Sequence, residues 1–378
     1  MTRKKILLTG VTGYIGGSVL HQLLRSKHPS IQEAEIACLV RGQDRVAQLH
    51  NAFGSRLKVV LFEGLEDTAH LVEIASQYDV VFNMTLGYHL ASAVAFVKGL
   101  SLRRVHTGRD VWLVHTSGVS NLADQPLSGD HIEPSPDREF NDSEDDIYTY
   151  EKRRNARKRY IQRTTELGMI DAGLESGVKT VVLMSPLIYG VSDASTSPQS
   201  AEPHGQVGTG LWNKRSLQVP RLVRAAITEG QAIVVGDGKG VWDNGTSFAA
   251  VHIEDLARLY ELTLIDILSK DGASLPTGKQ GAIFSAHRRH TWIDVSQAVA
   301  DAVCKAGLVD GNIVRTVSLA EGARLLTGGV EQVAELGFAS TCKTRGEVAK
   351  RLDWHPSAGI EAWEQGFVEE VDALRSKL

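Results

Sequence analysis

Three glycines recur at every third position near the amino end of the chain, directly behind a short apolar run. The run is Ile6–Thr9, and the glycines are Gly10, Gly13 and Gly16. A residue without a Cβ lets the backbone come close to a neighbouring strand or to the phosphates of a ligand. Free N–H groups at the start of a following helix can hold an anion. A strand, a glycine turn and a helix in this order predict a pyrophosphate site rather than a glycine turn without a ligand.

Short apolar runs alternate with helix-length segments through the first half of the chain. The strand-like runs are Ile6–Thr9, Glu35–Val40, Leu57–Phe62, Val80–Asn83, Val111–Thr116 and Thr180–Met184. Strands that alternate with helices predict a parallel sheet with helices on both faces. Right-handed crossovers make the doubly wound, Rossmann-type α/β fold the default. Ligands of such sheets bind beyond the carboxyl ends of the strands, which is where the glycines fall.

The composition changes after Pro186. Residues Gly190–Gly210 are rich in Ser, Gly, Pro, Asp and Thr, and they predict a long loop. Further on the pattern is mostly helical, with helical segments at Val219–Glu229, Ile253–Leu268, Ile293–Lys305, Leu319–Thr327 and Ile360–Lys377 and strand-like pieces at Ala232–Val235 and Ala282–Ser285. We expect a dinucleotide-binding domain over residues 1–188, to which 232–290 partly returns. A smaller, mostly helical substrate lobe would comprise 189–231 and 291–378.

The bulk composition excludes several classes of protein. A formal net charge of −4 gives no reason to expect nucleic acid or an acidic membrane as a partner. The three cysteines, Cys38, Cys304 and Cys342, are far apart and show no CxxC or other metal-binding pattern. No apolar stretch is long enough to span a membrane, and the run behind the basic first residues is too short for a signal peptide. We therefore expect a cytoplasmic protein without a metal.

The second strand-like run ends in Arg41. At this place an acidic residue accepts hydrogen bonds from the ribose 2′-hydroxyl of NAD, whereas an arginine pairs with the 2′-phosphate of NADP. No acidic residue takes that place here, so the sequence predicts NADP(H) as the cofactor. The alternative is that Arg41 is an ordinary solvated surface arginine.

Several segments together resemble the extended branch of the short-chain dehydrogenase/reductases. They are TGVTGYIGG at the glycine turn, VVFN at the fourth strand, LVHTSG at the fifth, SPLIYG after the sixth and VHIEDLARLY downstream. Within that branch the chain is similar to a fungal epimerase/dehydratase-like or NmrA-like group, through RTTELGMIDAGLESGVKT, VVGDGKGVWD and AELGFAS. The resemblance spans nearly the whole chain, and it is more specific for fold and cofactor than for the reaction.

The resemblance implies hydride transfer with a Ser/Thr, Tyr and Lys constellation. Tyr148 and Lys152 are four residues apart, one helical turn on one face. A nearby ammonium lowers the pKa of a phenol, which starts near ~10. A hydroxyl at the end of the fifth strand, Ser117 or Thr116, would polarise the substrate carbonyl, and Lys152 would also hold the nicotinamide ribose.

The spacing leaves other assignments open. The segment from Lys152 to Pro186 is longer than the family pattern, and a placement without a gap puts Asn155 and Arg159 where Tyr and Lys belong. A third option uses Tyr160 with Arg163, which can hold ribose but cannot tune a phenol in the same way. Gly118 also competes with Ser117 for the position of the catalytic hydroxyl. Finally, Tyr148 and Lys152 can be read simply as the start of a helix.

The remaining expected contacts surround the nucleotide and the substrate. The nucleotide contacts beyond the glycines and Arg41 are Thr12, Tyr14 and Ile15 in the turn, Leu65 against adenine, Asn83 and Thr85 near the adenosine ribose, and Pro186 and Ile188 after the sixth strand. The substrate would lie against Trp212, Asn213, Gln218 and Trp242. The basic run at residues 152–159 is interpreted as a solvated helix face.

Three functional hypotheses follow. The first is an NADP(H)-dependent reductase acting on the carbonyl of a small or medium organic substrate. The second is an epimerase, dehydratase or isomerase that retains its nucleotide and holds a sugar diphosphate with Lys214, Arg215, Arg221 and Arg224. The third is a sensor or interaction protein that binds NADP without turnover. The resemblance also allows a homodimer, although the charges of the 152–159 segment speak against packing through that helix.

Overall fold

The strands of the chain alternate with helices in the order that the sequence predicts. The computed structural model describes residues 3–135, 137–192, 210–242, 250–287 and 289–375. Its strands are β1 (Lys5–Leu8), β2 (Glu35–Val40), β3 (Lys58–Leu61), β4 (Val80–Asn83), β5 (Trp112–Gly118), β6 (Glu139–Asn141), β7 (Lys179–Ser185), β8 (Ile188–Tyr189), β9 (Ala232–Val235), β10 (Val241–Trp242), β11 (Val251–His252), β12 (Ala282–Phe284), β13 (His290–Thr291), β14 (Val314–Val317) and β15 (Lys343–Arg345).

The helices fall between these strands and dominate the last third of the chain. They are α1 (Tyr14–Arg25), α2 (Pro29–Gln32), α3 (Gln43–Phe53), α4 (Thr68–Ala75), α5 (Leu90–Thr107), α6 (Ile147–Arg157), α7 (Ile161–Ser176), α8 (Gln218–Glu229), α9 (Ile253–Lys270), α10 (Trp292–Lys305), α11 (Leu319–Thr327), α12 (Glu331–Phe338), α13 (Glu347–Arg351) and α14 (Ile360–Arg375). No helix within the described ranges has both the length and the apolar character needed to cross a bilayer.

A seven-stranded sheet forms the centre of the molecule. Its order is β12-β7-β5-β4-β1-β2-β3, and every pair in it is parallel. Successive β5 side chains point to opposite faces: Leu113 packs with the cluster that includes α4, α5 and α7, and Val114 with the cluster that includes α1 and α9. The predicted doubly wound Rossmann-type fold is confirmed. All carboxyl strand ends lie at one edge, which is where a ligand is expected.

The carboxyl-terminal part of the chain is mostly helical, as predicted. Ala282–Phe284 returns to the main sheet at its edge beside β7. The other predicted strand, Ala232–Val235, pairs instead in parallel with β14 in a separate two-stranded sheet. That sheet packs among α8, α10 and α11. Most of the predicted Gly190–Gly210 loop lies outside the described residues.

A break between α6 and α7 positions the site. The helix stops at Arg157, and the backbone of Lys158 is extended with φ −143°. The next helix starts at Ile161, and the Asn155 Oδ1 accepts a hydrogen bond from the Tyr160 N–H at 3.1 Å. Neither glycine nor proline marks this break, so the sequence gives no signal for it.

Candidate functional site

The three glycines of the turn have different structural roles. Gly10 has φ +69°, and a Cβ there would lie 2.3 Å from the Met84 carbonyl oxygen. A Cβ at Gly16 would lie 2.2 Å from the Gly10 carbonyl oxygen. Among the described residues, a Cβ at Gly13 would have one neighbour within 4 Å, the Gly10 oxygen at 3.1 Å. The fold itself therefore requires Gly10 and Gly16, whereas Gly13 leaves open space at the start of α1.

The amino end of α1 has no side chain to cap it. Gly13 is the N-cap residue, and no side-chain oxygen accepts a hydrogen bond from the first turn. Thr12, Tyr14 and Ile15 are half-buried around this end. The Tyr14 hydroxyl donates to the Gly190 carbonyl oxygen at 2.5 Å, and burial raises the pKa of Tyr14. With its hydroxyl engaged, Tyr14 would contact a nucleotide through its backbone N–H. Backbone N–H groups at the start of a helix are the groups that bind an anion.

Of the residues expected around the adenosine, some already make hydrogen bonds within the protein and one does not. Arg41 ends β2, is exposed, and makes no hydrogen bond or ion pair within the described part of the chain. Leu65 is half-buried and packs against the core. Asn83 is buried: its amide lies 3.1 Å from His115 Nδ1, and its oxygen accepts from the Thr85 hydroxyl at 2.7 Å. Asn83 and Thr85 are therefore occupied with each other, while Arg41 is free to bind a ligand.

Pro186 and Ile188 lie just beyond the carboxyl end of β7. Pro186 is buried, and Ile188 is half-buried in β8, where it pairs with Val251 of β11. Both residues thus line the edge of the sheet at which the glycine turn lies.

The two hydroxyls at the end of β5 point to opposite faces of the sheet. Thr116 Oγ1 is 2.6 Å from the Tyr260 hydroxyl on α9. Ser117 Oγ donates to Glu166 Oε2 on α7 at 2.6 Å. Ser117 also accepts from the Asn121 and Gln162 amides, both at 3.3 Å. Because its one hydrogen is directed to Glu166, Ser117 has none left for a substrate carbonyl in this arrangement.

Tyr148 and Lys152 form a pair, but the structure does not bring them to Ser117. Lys152 Nζ donates to the Tyr148 hydroxyl at 2.9 Å, and that hydroxyl donates to Asp171 Oδ1 at 2.5 Å. Burial and the Asp171 carboxylate raise the pKa of Tyr148, against the lowering that Lys152 exerts. The expected activated phenol is not what this geometry produces.

The position of the pair within the fold explains the separation. Lys279, in the turn just before β12, lies over the Tyr148 ring at 5.3 Å from its centre. Since β12 runs parallel to β7, this turn marks the amino ends of the edge strands. Ser117 lies near the opposite ends, in register with Met184.

Tyr160 lies at the carboxyl end of β5, because the helix breaks just before it. Its hydroxyl donates to Gln162 Oε1 at 3.2 Å and lies 3.4 Å from Ser120 Oγ. A Cβ at Gly118 would lie 3.1 Å from Gln162 Nε2, so the Gln162 amide occupies the space that a serine side chain at Gly118 would use. Tyr160, Gln162 and Ser120 therefore form the polar cluster at this end of the sheet.

The other candidates on these helices have structural partners. Arg163 is buried and donates through Nε and Nη2 to the Asn121 carbonyl oxygen at 2.9 and 2.7 Å, while its guanidinium carbon is 5.7 Å from the Tyr160 ring centre. Asn155 accepts from the Tyr160 backbone, and Arg159 is exposed. Neither of the latter two residues can act as a general acid here.

The interpretation of residues 152–159 as a solvated face is wrong for one residue. Arg154 is buried, and its guanidinium donates to the Leu122 and Ala123 carbonyl oxygens at 2.7 and 2.6 Å. The remaining cations of the run are exposed. Arg154 lies on the face of α6 that packs against the segment after β5. Because its neighbours in sequence are also charged, the sequence does not show that this arginine is buried.

The predicted substrate-lining residues are mostly engaged in packing. Trp212 is buried against Gly17 of α1. The Asn213 N–H donates to the Thr12 carbonyl oxygen at 2.9 Å, which ties this segment to the glycine turn. Gln218 donates to the Gly337 carbonyl oxygen at 2.6 Å. The Trp242 side chain lies outside what the structure describes.

Sequence reasoning missed a buried acidic pair behind the site. Glu151 on α6 and Glu166 on α7 are fully buried next to Ser117 and Asn121. Burial raises the pKa of both carboxyl groups. Glu151 lies within the basic run and Glu166 within a helical pattern, so no spacing singles them out before the helices are placed.

Comparisons with known proteins match the fold of the chain and a NAD-binding region near its amino end. The family model described as "Male sterility protein", a NAD-binding domain, matches residues 8–82. That range covers the glycine turn, Arg41, Leu65 and the start of the strand that ends in Asn83.

A curated relative matches along nearly the whole chain. It is the oxidase ucsJ of Acremonium sp., 28% identical over 370 residues that cover 93% of each chain. Among solved structures, the PbgP3 protein of Burkholderia pseudomallei is similar with a TM-score of 0.60 and 12% identity, covering 99% of this chain and 97% of its own. The UDP-glucuronic acid 4-epimerase of Bacillus cereus, solved in complex with NAD, gives a TM-score of 0.56 and 13% identity, covering 98% and 99%.

Proposed function

Because the chain has the fold of the extended short-chain dehydrogenase/reductases and a NAD-binding region over residues 8–82, we propose that it is an NADP(H)-dependent oxidoreductase. It would interconvert a carbonyl and an alcohol on a small or medium organic substrate. The observation that carries the proposal is the open glycine turn at the uncapped amino end of α1, together with Arg41 at the end of the neighbouring strand, which has no partner in the described part of the chain.

The glycine turn fits the pyrophosphate of a dinucleotide. The amides of Tyr14 and Ile15 lie in the first turn of α1, where no side chain competes for them. Gly13 keeps the approach to these amides open. The partial positive charge at the helix start adds to the attraction for phosphate oxygens.

Arg41 supports NADP(H) rather than NAD(H). Its guanidinium is exposed and without a partner in the described ranges, so it can form two parallel hydrogen bonds to a 2′-phosphate. An NAD ribose would place hydroxyl groups there, which gain less from a cation than a phosphate does. The neighbouring Arg45 is already engaged with the Gly210 carbonyl oxygen at 2.8 Å, which leaves Arg41 as the phosphate ligand.

The reacting end of the site lies at the carboxyl ends of β5 and β7. When bound, the nicotinamide supplies or accepts the hydride. Tyr160, Gln162 and Ser120 would hold the substrate oxygen, since their hydroxyl and amide groups already converge within 3.5 Å of one another. Burial raises the pKa of Tyr160, so at neutral pH its phenol is a hydrogen-bond donor.

The test combines nucleotide binding with turnover. Purified protein is titrated with NADPH and NADH, and NADPH consumption is followed by absorbance with a panel of aldehydes and ketones, or NADP⁺ reduction with the matching alcohols. We expect NADPH to bind more tightly than NADH and at least one pair to be turned over. Binding of neither nucleotide, or no turnover with any pair, overturns the proposal.

Two tyrosine variants locate the reacting end. Tyr160→Phe removes the hydroxyl that faces Gln162, and we expect turnover to fall about 10- to 100-fold while NADPH affinity is kept, as for the loss of one oriented donor. Tyr148→Phe is the matched control, because its hydroxyl contacts Lys152 and Asp171 at the other end of the strands. A loss of turnover in Tyr148→Phe alone would return the reaction to the Tyr148–Lys152 pair.

A further inference from the structure

Two carboxyl groups, those of Glu151 and Glu166, are buried near the carboxyl end of β5. Glu151 is 0% and Glu166 is 1% exposed. Glu166 Oε2 accepts from Ser117 Oγ at 2.6 Å and from Asn121 Nδ2 at 2.7 Å. The Glu166 carboxylate is the charge that acts most strongly on Glu151, and neither Glu151 oxygen has a hydrogen-bond partner among the described residues. Because two neighbouring buried carboxylates repel each other, we expect the pair to hold at least one proton.

The cations that face the pair are engaged with backbone carbonyl oxygens. Arg163 faces it from α7 and Arg154 lies further along α6, but both guanidiniums donate to backbone carbonyl oxygens of the segment after β5. Ser117 and Asn121 face it from β5 and the turn after β5, and they supply only neutral donors. Among the described residues, no guanidinium donates a hydrogen bond to either carboxyl group.

Ser117 connects this pair to the reacting end of the site. Its hydroxyl donates to Glu166 and accepts from Gln162, whose oxygen in turn accepts from the Tyr160 hydroxyl. Tyr160 itself is poorly suited to take a proton: burial raises its pKa, and the residue four positions on is Thr164 rather than a lysine. A buried carboxylate with a raised pKa is the better base near neutral pH.

We propose that Glu166, acting through Ser117, accepts the hydroxyl proton of the substrate during oxidation and returns it during reduction, while Glu151 holds the proton of the pair. This inference rests on the proposed function. As the C–H electron pair leaves as hydride and reduces NADP⁺, the substrate O–H bond breaks and the new C=O bond forms. With the substrate hydroxyl in place of the Gln162 amide at Ser117 Oγ, this oxygen takes the proton and passes its own to Glu166. The pair then holds two protons and no charge, and a buried neutral pair needs no ionic partner.

An infrared measurement tests for the proton of the pair without any substrate. At neutral pH the wild type should show the C=O band of a protonated carboxyl group, shifted in D₂O. Glu151→Gln should remove that band, and Glu175→Gln should keep it, because Glu175 lies on α7, the helix of Glu166, but is exposed. Glutamine keeps the side-chain shape, so the variants can be checked for native unfolding behaviour. Absence of the band in the wild type, or its persistence in Glu151→Gln, overturns the inference.

A rate measurement tests the role of the pair. With an alcohol that the wild type oxidises, Glu166→Gln should lower kcat about 100-fold or more, with the KM for NADP⁺ within twofold, because a general base contributes about 10²–10⁴-fold. The pH dependence of kcat should also change, which a purely structural role would not cause. Glu175→Gln should behave as the wild type. A wild-type rate in Glu166→Gln overturns only this inference, whereas a wild type without any turnover overturns the proposed function and this role with it.

Discussion

Alanine at Gly13 and at Gly16 should separate the binding role of the glycine turn from its role in the fold. A methyl group at Gly16 would lie 2.2 Å from the Gly10 carbonyl oxygen and 2.5 Å from its carbonyl carbon. Ordinary contact begins at 3.4 Å, so the backbone would have to move by about 1 Å. Overpacking of this kind costs about 1–3 kcal/mol, and we expect the upper end because the obstructing atoms are backbone.

Gly13→Ala should barely affect the fold. Its methyl group would meet one oxygen at 3.1 Å and otherwise face open space, and Gly13 has φ −89°, which any residue adopts. We expect a loss of about 0.5–1 kcal/mol, the difference between glycine and alanine at a helix N-cap. The methyl group would instead block the approach of phosphate to the amides of α1. Losing one charge-assisted hydrogen bond, worth about 1.5–3 kcal/mol, lowers affinity about 10- to 100-fold.

The assay is thermal unfolding of both variants together with NADPH titration followed by fluorescence. Gly16→Ala should lower the unfolding temperature by about 3–4 °C, and Gly13→Ala by about 1 °C or less. Gly13→Ala should nevertheless bind NADPH far more weakly than the wild type. Equal stability losses in the two variants, or wild-type NADPH affinity in Gly13→Ala, would refute the division of roles among the glycines.

Three further outcomes are expected. Arg41→Asp should lower NADPH affinity by about tenfold or more and improve NADH binding, since it replaces the proposed 2′-phosphate ligand with a ribose-hydroxyl acceptor; unchanged nucleotide preference in titrations would contradict this. Burial lowers the pKa of His115 from 6.5 to about 4, so the unfolded chain alone binds this proton as the pH falls from 6.5 to 4. The free energy of unfolding should therefore fall by up to about 3 kcal/mol over that range, and His115→Gln should flatten this fall in urea titrations; identical pH slopes would count against it. Glu370→Ala should cost about 3 kcal/mol in denaturant titrations, because Glu370 accepts from Arg215 at 3.0 Å and from Ser216 at 3.0 Å, and its loss leaves the half-buried Arg215 without its carboxylate; NADPH affinity should stay unchanged.

The sequence predicts the nucleotide end of the molecule well, because that end is encoded locally. The glycine turn, the strand before it and the helix after it are contiguous, and their spacing alone fixes their relative placement. The strands of the sheet before the loop, and most later helices, also follow from runs of apolar residues. Ala232–Val235 was recognised as a strand, but its pairing with Val314–Val317 was not, because nothing local selects a partner so distant in the chain.

The reacting end could not be predicted in the same way. The expectation for Tyr148 and Lys152 rested on their four-residue spacing and on their distance in sequence from Ser117. The extended backbone at Lys158 separates α6 from α7, although the local residues carry no breaker. Which tyrosine reaches the end of β5 therefore depends on packing between α6, α7 and the sheet, and that packing is not a property of any one motif.

The break has a chemical consequence beyond geometry. With Tyr160 at the start of α7, the residue one turn further along is Thr164, and α7 contains no lysine. The phenol then lacks the ammonium that would lower its pKa, and burial raises it. A hydride transfer still has to place one proton, so a site of this kind needs another group with a pKa brought towards neutrality. We propose Glu166 for this role, because it is buried, accepts a hydrogen bond from Ser117 and lies beside a second buried carboxyl group. The departure from the expected Tyr148–Lys152 pair would then concern only the group that exchanges the proton.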